Sequence, residues 1–204
     1  MTLSPLKTAL ALGVVLLLGM QSAAEAAQLQ SLRITETAKL QKIQPDWPVP
    51  GERNQVFYIQ RSSNSNTVVY TVRFDSAGNL DRKNPVAVYW RRYNTNGARK
   101  ALKYIEAAFA YGVKARPRDT AGAFDVTLKS LPQIPMLLRQ TGPGTAELLV
   151  RIGGRTARPV YGYVQLDESG LIPKVTGLSL HGIDIANGRA LTEEFTVSGG
   201  AILK

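Results

Sequence analysis

The chain contains no cysteine. This absence excludes disulfides, zinc–thiolate sites and thiol nucleophiles together, so the fold has to be stabilised by burial of a hydrophobic core. It also excludes a lipid-modified cysteine behind a leader sequence. A cysteine-free chain with an export signal is typical of a bacterial exported protein, and the mature protein is expected to be free of a lipid anchor.

Histidine is scarce as well, since His181 is the single one in the chain. A serine triad would need this imidazole beside a nucleophile and a carboxylate, and no Gly-x-Ser-x-Gly turn is present. One imidazole without thiolates also leaves only carboxylates as further zinc ligands. We therefore interpret His181 as a residue of a β-strand, with a catalytic base as the alternative, and expect no metal and no cofactor.

Long hydrophobic runs are missing after the first 26 residues. Lys7 precedes an unbroken apolar run from Ala9 to Met20, and Ala24-Glu25-Ala26 provides a small-x-small cleavage pattern. The run is shorter than the about 20 residues that span a bilayer. The sequence therefore predicts a signal peptide over 1–26, an exported location (periplasmic or extracellular), and no transmembrane segment after cleavage.

Acidic residues are in the minority, with 15 Asp and Glu against 25 Lys and Arg and a net charge of +10. Such a charge favours polyanionic partners, and for an exported protein these are anionic envelope lipids or glycans. Nucleic acid would be attracted by the same electrostatics, but export makes it an unexpected partner. The alternative is that the charge only keeps the protein soluble.

The pattern that dominates the remaining chain has a period of two. After a proline-containing lead-in over 27–54, apolar residues alternate with polar ones, as in strands with one buried face. Turn signals such as Gly153-Gly154 and Asn187-Gly188 separate the strands. This pattern predicts one β-rich domain over 55–204, an antiparallel barrel or sandwich-like sheet, with strands around 57–59, 68–74, 86–90, 124–128, 148–152, 160–166, 175–185 and 195–197.

One segment has helical spacing instead. Between Ala98 and Tyr111, apolar residues recur at intervals of three and four, asparagine and threonine precede them, and Gly112 follows. These features predict one amphipathic α-helix over about 98–111, packed on the sheet.

A basic and aromatic cluster is the main candidate site. No acid occurs between Val86 and Ile105. Cations in a helix's first turn oppose its dipole, and a bound anion would reverse that penalty. The predicted ligand-binding residues are Tyr89, Trp90, Arg91, Arg92, Tyr93, Arg99, Lys100, Lys103 and Tyr104. In the alternative interpretation Trp90 belongs to the core, Tyr104 packs at an edge, and the charges face water.

The carboxylates do not form an obvious catalytic pair. Two facing acids could hydrolyse glycosidic bonds without histidine, but the acids here fall largely at predicted turns or on outward strand positions. They are Asp75, Asp81, Asp119, Asp125, Asp167, Glu168 and Asp184. No catalytic residue is therefore predicted, and a carboxylate-dependent hydrolase of envelope polymers stays an alternative.

Several sequence blocks resemble a known family. They are Phe57-Tyr58-Ile59-Gln60-Arg61-Ser62, Asn84-Pro85-Val86 with Val88-Tyr89-Trp90, and Tyr104-Ile105 followed by Ala110-Tyr111-Gly112-Val113-Lys114. In this order they resemble a bacterial exported family, Domain-of-Unknown-Function family 4833, over roughly 53–197. The resemblance implies a single domain, and it brings no activity, cofactor or site residue.

Together these observations favour an exported, non-enzymatic domain that binds an anionic or amphiphilic envelope ligand near 89–104. A second hypothesis is a lipocalin-like barrel enclosing an apolar small molecule, with Val68, Tyr70, Val88 and Leu178 around its cavity. The hydrolase is the third.

Overall fold

The computed structural model describes residues 47–170, 174–198 and 201–203. The predicted signal peptide and residues 27–46 of the lead-in lie outside these ranges. The described chain is mainly β, as predicted. Its strands are β1 (Gln55–Arg61), β2 (Asn64–Val72), β3 (Val86–Arg91), β4 (Arg99–Ala101), β5 (Val113–Pro117), β6 (Ala123–Leu128), β7 (Leu131–Gly142), β8 (Thr145–Ile152), β9 (Arg155–Asp167), β10 (Lys174–Asp184), β11 (Ala190–Ser198) and β12 (Ala201–Leu203).

All twelve strands belong to one sheet, which curls into a half-barrel. The hydrogen-bonded order is β4-β3-β2-β1-β9-β8-β7-β6-β5, and β10, β11 and β12 continue from β9 on a second path. The sheet is mixed because β1 and β9 pair in parallel, whereas the other pairs are antiparallel. The predicted antiparallel sheet therefore differs from the structure in this one pair.

Strand β9 joins the two halves of the sheet. Its residues 157–167 pair with β10 along one edge. On the other edge, its first residues pair with β8 and residues 161–164 pair with β1. Strands β8 and β1 therefore share one edge of β9. The strands that continue from β1 (β2 to β4) and those that continue from β8 (β7 to β5) curl around a common interior.

The interior is filled with apolar side chains from almost every strand, as the period of two predicts. Val68 and Tyr70 of β2, Trp90 of β3 and Leu178 of β10 all belong to this core. A void of about 20 Å³ lies among Phe57, Ile59, Leu128, Met136 and neighbouring residues. That volume is room for about one water molecule.

The outer face of the sheet is covered in part by the end of the lead-in. Trp47 and Val49 pack against a second cluster formed by Tyr58, Tyr161 and Tyr163. The Gln60 side-chain amide donates a hydrogen bond to the Pro48 carbonyl oxygen at 3.3 Å. Residues 48–50 have no regular secondary structure, which agrees with the extended segment predicted from their prolines.

The predicted amphipathic helix over 98–111 is wrong. Residues Arg99–Ala101 form β4, which pairs with β3, and the only helical element here is a single π-helical turn at Glu106–Ala110. The apolar residues that suggested a helix packed on the sheet include Ile105 and Phe109, and both are exposed, as is Tyr104. Pairing with the edge of β3 satisfies the backbone of residues 99–101, and this tertiary contact overrides the local helical spacing.

Within the described ranges, no helix has the length and apolar character needed to cross a membrane.

Candidate functional site

The nine predicted ligand-binding residues lie together on β3, β4 and the chain that follows each strand. The register places Tyr89 opposite Ala101, Trp90 opposite Lys100, and Arg91 opposite Arg99. Because successive side chains of a strand point to opposite faces, this register divides the cluster between the two faces of the sheet. The two faces have different surroundings.

On the outer face, the cations have an internal partner. Arg91 Nε lies 2.9 Å from Glu52 Oε1, and Arg99 Nη2 lies 3.5 Å from Glu52 Oε2. Arg99 also donates a 2.5 Å hydrogen bond to the Tyr89 hydroxyl and stacks 3.9 Å above its ring. Glu52 precedes the acid-free stretch and was not included in the prediction. These ion pairs tie the lead-in to the sheet, so Arg91 and Arg99 have a structural task.

On the inner face, Trp90 is the centre of a polar and aromatic cluster. Trp90 is 2% exposed, and its Nε1 donates a 3.1 Å hydrogen bond to Glu106 Oε2. Tyr111 packs edge-on against the indole with ring centres 5.1 Å apart. The guanidinium carbons of Arg61 and Arg92 lie 4.9 and 5.9 Å from the indole centre. We call these five residues the Trp90 cluster.

The two arginines of the Trp90 cluster lie outside the ion pairs of the described residues. Among the described residues, neither Arg61 nor Arg92 takes part in a salt bridge. The Nε of Arg61 is buried and has no hydrogen-bond acceptor there. Burial raises the pKa of Tyr111, and the charge of Arg61 opposes that rise. Arg61 also forms a hydrogen bond with the Tyr111 side chain. Two guanidinium groups without a carboxylate partner in the described ranges, both beside one aromatic ring, form a local excess of positive charge that suits an anion.

The segment from Leu102 to Tyr111, here named the docking segment, is the most exposed apolar part of the described chain. Tyr104 is 84% exposed, Ile105 70% and Phe109 73%. Lys100 and Lys103 are exposed beside them, and Glu106 is the only acid of the segment. Large apolar side chains that cluster in solvent usually mark an interaction surface. The exposure of Tyr104 argues against the alternative interpretation, in which this side chain packs at an edge.

The two ends of the docking segment are held differently. Near its C-terminal end, the Tyr70 hydroxyl bonds to the Tyr111 carbonyl oxygen at 2.9 Å and the Ser130 hydroxyl to that of Ala110 at 2.6 Å. Toward its N-terminal end, the Glu106 carboxylate accepts the Lys103 backbone N–H at 2.8 Å as well as the Trp90 indole N–H. Glu106 is therefore the polar side chain that fastens this end to the sheet, together with the partly buried Leu102.

His181 lies on the outer face, away from the Trp90 cluster. Its Nε2 is 2.9 Å from the Ser179 hydroxyl, its Nδ1 is 3.0 Å from the Thr192 hydroxyl, and its ring stacks on Tyr161 at 4.3 Å. Burial lowers the pKa of His181 to about 4. A triad would need a carboxylate where the Thr192 hydroxyl stands, so the geometry favours the interpretation of His181 as a residue of the sheet.

The carboxylates include one that the sequence analysis misplaced. Asp184 is only 2% exposed, although it was expected at a turn or on an outward position. Its Oδ2 lies 2.6 Å from Arg155 Nη2, and its Oδ1 accepts the Ala186 backbone N–H at 2.8 Å. No group of three or more histidine, aspartate or glutamate side chains comes together in the described ranges.

An open cleft marks the place where β1 and β8 diverge from β9. It has a volume of about 280 Å³, and Gln55, Tyr58, Glu147, Arg158 and Val160 are among the residues that line it. None of the predicted site residues lies in this cleft.

Sequence reasoning missed three members of the Trp90 cluster: Arg61, Glu106 and Tyr111. Arg61 comes from β1, which reaches Trp90 only through the register of β2, where Val68 pairs with both Ile59 and Trp90. The basic residue just after Ile59 was visible in the sequence, but placing it near Trp90 required knowledge of the strand order. Glu106 directly follows the acid-free stretch, but its hydrogen bonds to the Lys103 backbone and the Trp90 indole depend on the fold.

Comparison with known proteins gives one match. A family model described as Domain of unknown function (DUF4833) matches residues 57–194. This range falls within the one over which the sequence blocks resembled that family. No curated protein and no solved structure matches the chain.

Proposed function

The chain belongs to the DUF4833 family, and from that premise we propose that it is an exported, non-enzymatic binding domain that docks on an anionic lipid surface. The docking segment enters the interface between lipid headgroups and acyl chains, and the basic residues around it contact the headgroups. The single observation that carries this proposal is the exposure of Tyr104, Ile105 and Phe109 beside Lys100 and Lys103.

The apolar side chains supply the first contribution. Fully burying a large apolar side chain is worth about 1.5–3 kcal/mol relative to leaving it in water. Three such side chains on one short segment would gain several kcal/mol at a lipid interface, and they gain nothing in solution. Tyrosine is also a favoured residue at the headgroup level of a membrane.

The charges supply the second contribution. Each Lys or Arg near an anionic membrane surface is worth about 1 kcal/mol, and the attraction falls off within a Debye length. Lys100, Lys103 and Arg92 lie near the docking segment, and the whole chain carries +10. Apolar insertion and electrostatic attraction together are the combination that gives stable membrane association without a lipid anchor.

The two alternative functions have less support. A lipocalin-like binder needs a roomy interior, and the void among Phe57, Ile59 and Met136 measures about 20 Å³. A carboxylate-dependent hydrolase needs two facing acids, and the buried Asp184 faces Arg155. An acidic glycan would explain the lysines but not three exposed apolar side chains, so lipid is the favoured form of the anionic envelope partner.

The test is cosedimentation with vesicles. The protein is expected to bind vesicles rich in phosphatidylglycerol, to bind phosphatidylcholine vesicles poorly, and to lose affinity as salt increases. The double variant Ile105→Ser/Phe109→Ser should lose most of the binding because it removes the inserted side chains. The matched control is Val175→Ser/Ile185→Ser, which removes two exposed apolar side chains elsewhere and should bind like the parent.

The charge contribution is tested with Lys100→Gln/Lys103→Gln, and Lys83→Gln/Lys174→Gln is its control because those lysines are also exposed but lie on other elements. Only the first pair should weaken binding, by about tenfold or more for two charges near the surface. Equal binding by all four variants, or salt-insensitive binding, would contradict the proposal.

A further inference from the structure

We infer that the Trp90 cluster is a binding site for the phosphate group of an anionic lipid headgroup, and that the carboxylate of Glu106 holds this site closed until the phosphate replaces it. The inference rests on the proposed docking function and assigns it a specific headgroup site. The phosphate enters beside Arg61 and Arg92, and Glu106 leaves its donors as the phosphate takes them.

The first argument concerns the donors that Glu106 occupies. Its Oε2 accepts both the Trp90 indole N–H at 3.1 Å and the Lys103 backbone N–H at 2.8 Å. Two N–H groups that converge on one oxygen can equally bind an oxygen of a phosphate, because both ligands are anions with acceptor lone pairs. The protein therefore fills an anion site with its own anion.

The second argument concerns charge. Arg61 and Arg92 lie 4.9 and 5.9 Å from the centre of the same indole ring, and neither is in a salt bridge within the described residues. On the other face of the sheet, Arg91 and Arg99 share Glu52, whereas Arg61 and Arg92 have no carboxylate partner in the described part of the chain. Guanidinium groups bind phosphate through two parallel N–H bonds, so this pair is suited to hold a phosphate.

The third argument concerns the chain that carries Glu106. The C-terminal end of the docking segment is fixed by hydrogen bonds to the Ala110, Tyr111 and Gly112 carbonyl oxygens. The N-terminal end relies on Glu106 for its side-chain hydrogen bonds. Release of the carboxylate frees that end, and with it Tyr104 and Ile105, while the other end stays in place. A π-helical turn such as Glu106–Ala110 often occurs at functional sites of this kind.

Phosphate binding and apolar insertion are therefore coupled by one residue. The phosphate and the Glu106 carboxylate compete for the same donors, so each lowers the affinity of the cluster for the other. Neutralising the carboxylate should then raise the affinity for phosphate. If Glu106 had only a structural role, neutralising it would loosen the site and lower the affinity for phosphate.

The experiment follows Trp90 fluorescence in a Trp47→Phe background, which leaves one tryptophan in the chain. The probe is sn-glycerol 3-phosphate, the soluble fragment of a phospholipid headgroup, titrated at constant ionic strength. Glu106→Gln is expected to bind it about fivefold tighter or more, which is the usual lower range of such coupling. Arg92→Gln and Arg61→Lys should weaken binding at least fivefold, and the exposed control Arg189→Gln should not change it.

Arg61→Lys keeps the charge while removing the paired N–H geometry, so a weakened affinity in a folded variant supports a phosphate site. Unchanged or weaker binding by Glu106→Gln would overturn the competition, and unchanged binding by both arginine variants would overturn the site. Inorganic phosphate is titrated in parallel. Tighter binding of the free ion than of the ester would overturn the assignment to a lipid headgroup.

The two proposals fail separately. Ile105→Ser/Phe109→Ser should still bind sn-glycerol 3-phosphate with the parent affinity, because neither side chain belongs to the Trp90 cluster. If the ester binds as predicted while vesicles do not, the phosphate site stands and docking on a membrane is wrong. If vesicles bind and the ester does not, docking stands and the headgroup site is wrong.

Discussion

Trp90 is buried, yet its indole contacts Arg61 of β1 and Glu106 of the π-helical turn. Its ring contributes to the interior with Val68 and Val86, and its N–H leaves that interior to reach Glu106. A buried indole N–H needs such an acceptor, because leaving it unpaired costs about 1–3 kcal/mol. The need of the indole N–H for an acceptor explains why the Glu106 carboxylate lies beside this buried indole.

His181 shows the same principle in a titratable group. Its imidazole is half-buried between Tyr161 and two hydroxyl groups, and burial disfavours the charged form. Because His181 is the only histidine, its ring signals in a proton NMR titration need no assignment. We expect its pKa in the folded protein at about 4, well below the 6.5 of an exposed histidine.

The stability of the protein should depend on pH accordingly. Between about pH 6.5 and pH 4, the unfolded chain binds a proton at His181 that the folded protein does not bind. The contribution of the neutral, buried His181 to the free energy of unfolding is therefore fully present above pH 6.5 and is lost as the pH falls toward 4. Urea unfolding of the parent and of His181→Phe measures it as the difference between the two pH profiles. Identical profiles in this window, or an NMR pKa near 6.5, would contradict the prediction.

The docking segment shows where element prediction failed. The spacing of Ile105, Ala108 and Phe109 is that of an amphipathic helix, but spacing alone does not reveal which face a segment buries. Here β4 takes the first residues of the predicted helix into pairing with β3, and only one π-helical turn forms. The predicted stop at Gly112 was close, since the turn is followed by Tyr111 and then this glycine.

Gly112 provides a test of how this turn is packed. A Cβ atom at Gly112 would collide with the carbonyl oxygen of Ala107 in the turn, and this contact involves backbone that cannot move aside cheaply. We expect Gly112→Ala to lower the free energy of unfolding by about 1–3 kcal/mol, the usual cost of forcing extra atoms into a packed site.

The matched control for that substitution is Gly51→Ala. Nothing lies within 4 Å of a Cβ built at Gly51, and its backbone is not in the left-handed region. The control should therefore change stability by less than about 0.5 kcal/mol. Chemical denaturation of both variants gives the comparison, and equal stabilities for the two would show that the turn is not packed as described.

At the scale of the whole molecule, the period-two pattern was sufficient for the fold class and for most strands. The mainly β architecture is confirmed, and the alternating residues of β2 and β3 do face a common interior. The pairing order was not predictable in the same way. Tyr58 of β1 pairs with Tyr161 of β9, and no local pattern links two strands so far apart in the sequence.

The same limit applies to the site. The residues of β3 and β4 were predicted because they are consecutive, and they do lie together. The sheet places some of these residues on a face where Glu52 neutralises the arginines, and the others on a face where Arg61 and Arg92 stack near Trp90. Charge runs are visible in a sequence, but the partners that cancel them come from distant segments.

Insertion of the docking segment into an anionic membrane is tested most directly by fluorescence at a single position. The cysteine-free chain allows one labelled cysteine at Ile105→Cys, and Val175→Cys on the exposed face of β10 is the control. With phosphatidylglycerol vesicles, an environment-sensitive dye at position 105 should shift to shorter wavelength, and the dye at position 175 should not. No shift at position 105, or the same shift at both positions, would contradict the proposed docking.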